Sequence, residues 1–223
     1  MSTIDVPVSH GRLEALLWTV EQPKAAAVVC HPHPLHGGTM HNHVTYRIAD
    51  AFRKAGVSTL RFNFRGVGAS TGKHDDGRGE VDDARAALDF LQHQQPGVPL
   101  LVSGFSFGSR VALQLTIEDP RVERLLLAGV ALRAFSFGLL RELRKPKAFI
   151  QSDHDEFAAL DDVRRLVEET PPPRKLFVVP DSDHLCTDRL EAFEQVAAEA
   201  VTWLLDAPPV NLRRSGLLVP PAH

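Results

Sequence analysis

Residues 98–117, VPLLVSGFSFGSRVALQLTI, decide the fold because an apolar strand pattern runs directly into a helix pattern. The first eight residues lack polar alternation, which is typical of a strand buried on both faces of a parallel sheet. A Gly104-x-Ser106-x-Gly108 turn joins the two patterns. Its glycines allow the strand and the helix to pack closely, with the serine at the tip in a strained conformation. We therefore predict that Ser106 is a nucleophile at the end of a strand.

Strand and helix patterns alternate along most of the remaining chain. Two antiparallel strands are predicted at 3–8 and 12–20, with a turn at 9–11; further strands at 25–30, 57–64, 122–131, 146–153 and 175–181; and helices at 43–55, 80–93, 107–117, 158–169 and 188–205. Alternation of this kind indicates crossover units on a mostly parallel sheet. Ligands of such sheets bind at the carboxyl ends of the strands, so the functional residues should follow strands.

The size and composition of the chain fit one globular domain. The 223 residues are 43% hydrophobic and 24% charged, which is ordinary for a globular protein with a sizeable core. We predict a single α/β domain over residues 1–206. Residues 207–223 contain four prolines and are predicted to be a non-helical tail, either mobile or docked against the body or a partner.

The charge balance and the cysteine count exclude several classes of function. A formal net charge of −3 argues against a surface for nucleic acid or an acidic membrane. Two cysteines cannot form a disulfide framework. The N-terminal residues do not resemble a signal peptide, and no apolar stretch approaches the length of a membrane-spanning helix. We expect a cytoplasmic protein that acts on a small molecule and needs no cofactor, with a homodimer as one option for its assembly.

The ends of two later strands carry candidates for a base and for an acid that orients it. A serine hydroxyl is a weak nucleophile, so it needs a neighbouring base, which in turn needs an orienting acid. His184 follows the last predicted strand and is the predicted base. Asp153, Asp155 and Glu156 follow the preceding strand, and Asp181 and Asp183 lie just before His184. The residues alone leave all five open as the acid. The chain order is serine, acid, histidine, which matches the order of one known catalytic triad.

These motifs carry a resemblance to a known family. Over residues 1–206 the chain resembles the α/β-hydrolase superfamily and, more narrowly, small bacterial α/β hydrolases related to the dienelactone-hydrolase-like proteins. The matching stretches are VVCHPHPLHGGTMHNHV (28–44), RFNFRGVGASTG (61–72), GRGEVDDARAALDFL (77–91), SGFSFGSRVAL (103–113), IQSDHDEF (150–157) and PDSDHLC (180–186). The resemblance implies a three-layer fold, with an eight-stranded mostly parallel sheet flanked by helices and no cap domain.

The resemblance also ranks the candidate acids. In this group the acid lies in a G-D-x-D-E stretch, in which the second aspartate is catalytic. The stretch matches residues 152–156, so the resemblance implies that Asp155 is the acid, with Asp153 as the next candidate. The family's glycine is replaced by Ser152 in this chain.

Residues 31–43, HPHPLHGGTMHNH, place five histidines directly after a predicted buried strand. In the superfamily, this loop supplies one half of the oxyanion hole, and the backbone N–H of the residue after the nucleophile, here Phe107, supplies the other half. The two prolines of the stretch have no N–H to donate. Alignment on His31 makes the N–H of His33 the predicted donor, with Leu35 as the alternative.

A metal site is the competing interpretation of the histidine-rich stretch. An H-x-H pair across a proline rarely points both rings towards one ion, and no zinc spacing such as H-E-x-x-H occurs. We therefore predict no metal. His31 is expected to hydrogen-bond the loop, and His41 and His43 are expected to open the next helix. Arg65, in the stretch NFRGVGAST, is expected to brace the loop.

Together these residues favour a serine carboxylesterase that hydrolyses small, short-chain esters through an acyl-enzyme. Only about twelve residues, 132–143, separate two strands between which capped relatives carry a lid, so the cleft should be open. Seven apolar residues are predicted to line it: Leu35, Phe105, Phe135, Phe137, Leu139, Phe157 and Leu185. A thioesterase, an acyltransferase or a non-catalytic ligand-binding protein are the alternatives. A peptidase should carry a gating addition that this length excludes.

Overall fold

An eight-stranded sheet organises the computed structural model, which describes residues 1–208. The strands are β1 Ser2–Val8, β2 Gly11–Trp18, β3 Ala25–Cys30, β4 Val57–Phe62, β5 Leu100–Phe105, β6 Val122–Ala128, β7 Lys147–Ser152 and β8 Arg174–Val179. Their order across the sheet is β1-β2-β4-β3-β5-β6-β7-β8. β2 pairs antiparallel with both of its neighbours, whereas β3 to β8 run parallel. The predicted mostly parallel sheet is confirmed.

Five helices cover the two faces of this sheet. They are α1 His43–Lys54, α2 Arg78–Gln94, α3 Phe107–Glu118, α4 Leu160–Glu169 and α5 Leu190–Asp206. Helices α1 and α5 pack together on one face, and α2 and α3 pack together on the other. Alternate residues of β3 divide between two core clusters, with Val28 in the cluster under α2 and α3 and Val29 in the cluster under α1 and α5. The result is the three-layer arrangement expected from the sequence.

The predicted element boundaries differ from the structure by only a few residues. The strand expected at 57–64 ends at Phe62, and the strand expected at 122–131 ends at Ala128. Strand β6 ends at Ala128 because the next residue, Gly129, has a φ of +58° and turns the backbone out of the sheet. The predicted tail begins at residue 207, but residues 209–223 lie outside the described residues. Within residues 1–208, no helix is long and apolar enough to cross a membrane.

The junction of β5 and α3 has room for glycine alone at two positions. An added Cβ at Gly104 would lie 2.0 Å from the carbonyl oxygen of Gly108, in the first turn of α3. An added Cβ at Gly108 would lie 2.4 Å from the carbonyl oxygen of Cys30, at the end of β3. Both neighbouring atoms belong to the backbone and cannot rotate away. The two glycines therefore allow α3 to lie directly against β5 and β3.

Gly104→Ala should lower the free energy of unfolding by about 1–3 kcal/mol, because the added methyl group collides with the backbone of Gly108 where β5 and α3 meet. Gly138→Ala is the matched control. Its added Cβ would meet only Ser136 Oγ, at 3.7 Å, and should change stability by no more than about 0.5 kcal/mol. Urea unfolding curves measure both effects. Equal stability of the two variants would contradict the close packing described for this junction.

Candidate active site

Ser106 occupies the turn between β5 and α3 in a strained backbone conformation. Its φ is 55° and its ψ is −116°, a region that a residue with a side chain rarely adopts. The Ser106 N–H donates to the carbonyl oxygen of Ala128, at the end of β6, at 2.9 Å. The Ser106 carbonyl oxygen accepts from the N–H of Ser109 at 2.9 Å. These contacts hold the side chain at the carboxyl edge of the sheet, as the sequence predicted.

The imidazole of His184 reaches Ser106 from the loop after β8. His184 Nε2 lies 2.9 Å from Ser106 Oγ, and the histidine side chain is only 5% exposed. The ring stacks on Phe105 with 5.1 Å between centroids, and Phe157 lies 4.6 Å away on a tilt. Gly129 leaves space for this arrangement, because an added Cβ there would lie 2.7 Å from the Phe105 ring and 3.1 Å from His184 Cε1. Packing on several sides therefore fixes the imidazole.

Asp155 is the acid that meets the histidine. Its Oδ2 lies 2.7 Å from His184 Nδ1 and also accepts from Gln151 Nε2 at 2.7 Å, while Oδ1 accepts from the N–H of Phe157 at 2.8 Å. Asp153 lies away from His184. Its carboxylate accepts from the N–H groups of the loop at residues 181–182, both at 3.0 Å. The structure therefore brings together Ser106, His184 and Asp155 and gives Asp153 a loop-bracing position.

Two backbone N–H groups near the serine have no hydrogen-bond acceptor among residues 1–208. The N–H of Phe107 is at the first position of α3, where no intrahelical partner exists. The second is the N–H of His33, in the loop after β3. The alternative donor, the N–H of Leu35, is occupied because it donates to His33 Nδ1 at 3.2 Å. The structure thus leaves His33, and not Leu35, with a free N–H in this loop.

His31 fixes the start of the histidine-rich loop. Its fully buried ring accepts from the N–H of Phe64 through Nε2 at 3.0 Å and donates through Nδ1 to the carbonyl oxygen of Pro32 at 2.6 Å. Burial lowers the pKa of His31 to about 4, so the ring is neutral near pH 7 and can both donate and accept. The expectation that His31 hydrogen-bonds the loop agrees with these contacts.

The expectation for Arg65 was wrong. Its guanidinium group pairs with the buried carboxylate of Asp83, in α2, at 2.8 Å, and forms no hydrogen bond with residues 31–43. Asp83 accepts from the backbone N–H of Arg65 as well, so the side chain turns back towards α2. Asn63 braces the loop instead, because its Oδ1 accepts from the N–H of Met40 at 2.8 Å.

His33 and His36, two further histidines of the loop, pack against rings. His33 stacks on His36 at 4.5 Å between centroids and lies 5.0 Å from His74. Desolvation lowers the pKa of His33, and the neighbouring His36 and His74 act in the same direction. The helix α1 begins at His43 and is capped by the side chain of Asn42. Within residues 1–208, no three His, Cys, Asp or Glu side chains converge as metal ligands, and the absence of a metal stays a prediction.

A cleft of about 480 Å³ opens above Ser106. Its walls are formed by Pro32, His33, His36, Gly37, Gly38, Asn42, Ala131, Ala134, Phe135, Glu156, Phe157, His184 and Leu185. Phe135, Phe157 and Leu185 therefore lie where the sequence analysis expected them. Among residues 1–208, Glu156 supplies the only carboxylate of the wall, and no lysine or arginine of this part of the chain lines the cleft. The Glu156 Oε2 accepts from the N–H of His184 at 3.2 Å.

Four of the apolar residues predicted to line the cleft do not. Leu35 projects outwards from a short 3₁₀ turn and is 70% exposed. Phe105 lies beneath the His184 ring in the core on the α1 and α5 side. Phe137 is buried in the opposite core, and Leu139 packs against that core from a second 3₁₀ turn. The direction of a side chain depends on strand parity and turn geometry, which a list of apolar residues does not contain.

Two contributors to the site were missed in the sequence. Gln151 is a polar residue within the largely apolar pattern of β7. Its polarity at that position was the only sign in the sequence that it belongs to the site. Glu156 was one of several acidic residues after that strand, and nothing local showed that it faces the cleft. Their partners lie far away in the chain, so a single sequence does not reveal the contacts.

Comparison with known proteins agrees with this geometry. A family model described as "Hydrolase_4: Serine aminopeptidase, S33" matches residues 21–136. An uncharacterized protein of Rickettsia prowazekii is 40% identical over 163 residues, covering 71% of this chain and 68% of that protein. A serine hydrolase without lid from Xanthomonas campestris is 30% identical, with a TM-score of 0.83 and coverage of 93% and 96% of the two chains.

A third similar structure, an α/β serine hydrolase homologue from Coxiella burnetii, is also 30% identical. Its TM-score is 0.82, and the match covers 89% of this chain and 96% of that one. The chain belongs to the α/β serine hydrolases. As in the Xanthomonas protein, no lid is present within residues 1–208: between β6 and β7 the chain forms only the short 3₁₀ turn Gly138–Arg141.

A pair of substitutions at His33 separates its backbone from its side chain. His33→Ala keeps the N–H and should retain much of the hydrolytic activity. His33→Pro removes the N–H while suiting the local φ of −55°, and should lower kcat by about 10²–10³-fold, the usual effect of losing one oxyanion donor. Steady-state kinetics on an activated ester measure both. Equal losses in the two variants would assign the effect to the imidazole.

A second pair of substitutions distinguishes the two aspartates. Asp155→Asn should lower kcat by about 10⁴-fold, because an amide favours the wrong histidine tautomer. Asp153→Asn is the matched control and should cost less than about 10-fold, since its partners are loop N–H groups. The same kinetic assay applies, with thermal unfolding as a check on folding. The reverse ranking would show that Asp153 orients the histidine.

Proposed function

We propose that this hydrolase is a serine carboxylesterase that cleaves small, neutral, short-chain esters through an acyl-enzyme. The observation that carries the proposal is the continuous hydrogen-bonded chain from Ser106 Oγ through His184 to Asp155, with distances of 2.9 Å and 2.7 Å. Each member of this chain has the chemical role that nucleophilic acyl transfer requires. The two unpaired N–H groups, of Phe107 and His33, support the same chemistry.

The proposed reaction has two halves. His184 Nε2 accepts the proton of Ser106 Oγ as that oxygen bonds to the ester carbonyl carbon, and the carbonyl oxygen becomes an oxyanion. The N–H groups of Phe107 and His33 donate to that oxyanion. The oxyanion then re-forms the carbonyl, the bond to the alcohol oxygen breaks, and His184 protonates the leaving alcohol. Water adds in the same way in the second half, which releases the carboxylic acid and restores Ser106.

The cleft supports the choice of a small, neutral substrate. Its apolar walls include Phe135, Phe157 and Leu185, and burial of each methylene group of a substrate contributes about 0.8 kcal/mol until the cleft is filled. Without a lid, a longer chain lies in water and gains little. Among the described wall residues, Glu156 carries the only carboxylate and no lysine or arginine compensates it, so a substrate with its own carboxylate is disfavoured.

A second candidate function is an aminopeptidase. The matching family model carries that description, and Glu156 is a carboxylate within the cleft that could pair with a substrate α-ammonium group. The absence of a gating addition between β6 and β7 favours the esterase. The two candidates differ in what Glu156 does: an aminopeptidase needs its charge for binding, whereas an esterase of neutral substrates does not.

A panel of p-nitrophenyl esters from C2 to C16 tests the esterase. We expect kcat/KM to peak near about C4–C6, as the cleft fills, and Ser106→Ala to lose at least about 10⁴-fold. Glu156→Gln keeps an acceptor for the His184 N–H and should leave the rate on p-nitrophenyl butyrate nearly unchanged, but should raise the rate on the anionic mono-p-nitrophenyl succinate.

Different results would contradict the esterase and support the aminopeptidase. Full turnover by Ser106→Ala would refute the serine mechanism, and faster turnover of C12–C16 esters than of butyrate would refute the short-chain specificity. Rapid hydrolysis of alanine p-nitroanilide, lost in Glu156→Gln, would favour the aminopeptidase.

A further inference from the structure

Gln151 lies at the next-to-last position of β7 and is fully buried behind the acid of the site. Its Nε2 donates to Asp155 Oδ2 at 2.7 Å, and its Oε1 accepts from the N–H of Val130 at 2.8 Å. The partners fix the orientation of the amide. The N–H of Val130 can only donate, and a carboxylate oxygen can only accept, so the amide oxygen must face Val130 and the amide nitrogen must face Asp155.

The carboxylate of Asp155 depends on Gln151 for its rotation. The last torsion of an aspartate side chain is broad, so the plane of the carboxylate must be held by its partners. Phe157 holds Oδ1 through its backbone N–H. Oδ2 accepts hydrogen bonds from His184 and from Gln151. Because Asp155 has to orient His184, the bond from His184 cannot also be what holds Oδ2 in place. Gln151 is therefore the donor that fixes Oδ2 independently of the imidazole.

Gln151 also stabilises a negative charge that solvent does not reach. The side chain of Asp155 is fully buried, and a buried carboxylate is costly unless several hydrogen bonds replace its hydration. No lysine or arginine among the described residues forms a salt bridge with Asp155, and its one such partner is His184. The amide of Gln151 supplies the side-chain donor that a cation would otherwise provide.

The same amide joins the acid to a wall of the cleft. Val130 stands between Gly129, which leaves space for the His184 ring, and Ala131, which lines the cleft. We propose that Gln151 is a positioning residue that fixes the Asp155 carboxylate against His184 and ties both to the turn after β6. The proposal rests on the proposed function, because it assigns Gln151 a role in the same hydrolytic site.

Two variants of Gln151 test the proposal. Gln151→Met has similar length but forms no hydrogen bond. Gln151→Glu keeps an acceptor for the Val130 N–H. Two adjacent buried carboxylates cannot both ionise, so a proton shared with Asp155 weakens that acid as the partner of His184. Both should lower kcat on p-nitrophenyl butyrate by about 10–100-fold, the usual effect of losing a partner that orients a functional group, with KM changed less than about two-fold.

Lys147→Met is the matched control at the other end of β7. Lys147 is also fully buried, and its Nζ donates to the carbonyl oxygen of Pro171 at 2.6 Å, far from the cleft in the sheet. Its loss should lower the melting temperature without changing kcat by more than about two-fold. A loss of kcat in Lys147→Met as large as in the Gln151 variants would overturn the proposal, because general destabilisation would then explain both.

A proton NMR spectrum gives a readout that needs no substrate. The His184 Nδ1–H proton, held against Asp155, should give a low-field resonance that shifts in both Gln151 variants and stays in place in Lys147→Met. An unchanged resonance, or an unchanged kcat, in the Gln151 variants would overturn the positioning role. If the wild-type protein does not hydrolyse p-nitrophenyl butyrate, the proposed function fails, and the NMR comparison still decides the role of Gln151.

Discussion

The strained backbone at Ser106 is the constraint on which the rest of the site depends. A residue held at a positive φ of this kind costs about 1–3 kcal/mol, so the surrounding structure must enforce it. Gly104 and Gly108 allow α3 to lie against β5, and the hydrogen bond to Ala128 anchors the turn to β6. The same turn directs the serine hydroxyl towards His184 and leaves the first N–H of α3 unpaired. The candidate nucleophile, the backbone strain and one candidate oxyanion donor are thus one feature of the fold.

Parallel strands bring the other parts to this turn. Residues on β3, β5, β6, β7 and β8 are in register, so the segments that follow their carboxyl ends meet at one edge of the sheet. Polar groups at this edge are buried but paired: His31 with Phe64, and Asp155 with Gln151 and Phe157. Because an unpaired buried polar group is costly, such pairing both stabilises the loops and limits the positions that the side chains can adopt.

Much of this arrangement could be predicted from the sequence, because the informative residues are local. Strand and helix patterns predicted the order of elements, and the positions of Ser106, His184 and the acids after strands predicted their proximity. The family resemblance selected Asp155 among those acids. Contacts between distant segments could not be predicted in the same way. Arg65 pairs with α2 rather than the loop, and Phe105, Phe137 and Leu139 turn into the core, because tertiary packing decides where each side chain points. Gln151 was missed for the same reason, since both of its partners belong to other segments.

In the proposed mechanism, Ser106 attacks the ester carbonyl carbon while the N–H groups of Phe107 and His33 donate hydrogen bonds to the oxyanion. The most direct measurement is a crystal structure of the protein after reaction with a small fluorophosphonate, whose adduct imitates the tetrahedral intermediate. We expect phosphorus bonded to Ser106 Oγ and a phosphoryl oxygen within about 2.7–3.1 Å of both nitrogens. An adduct on another residue, or a phosphoryl oxygen directed away from both N–H groups, would contradict it.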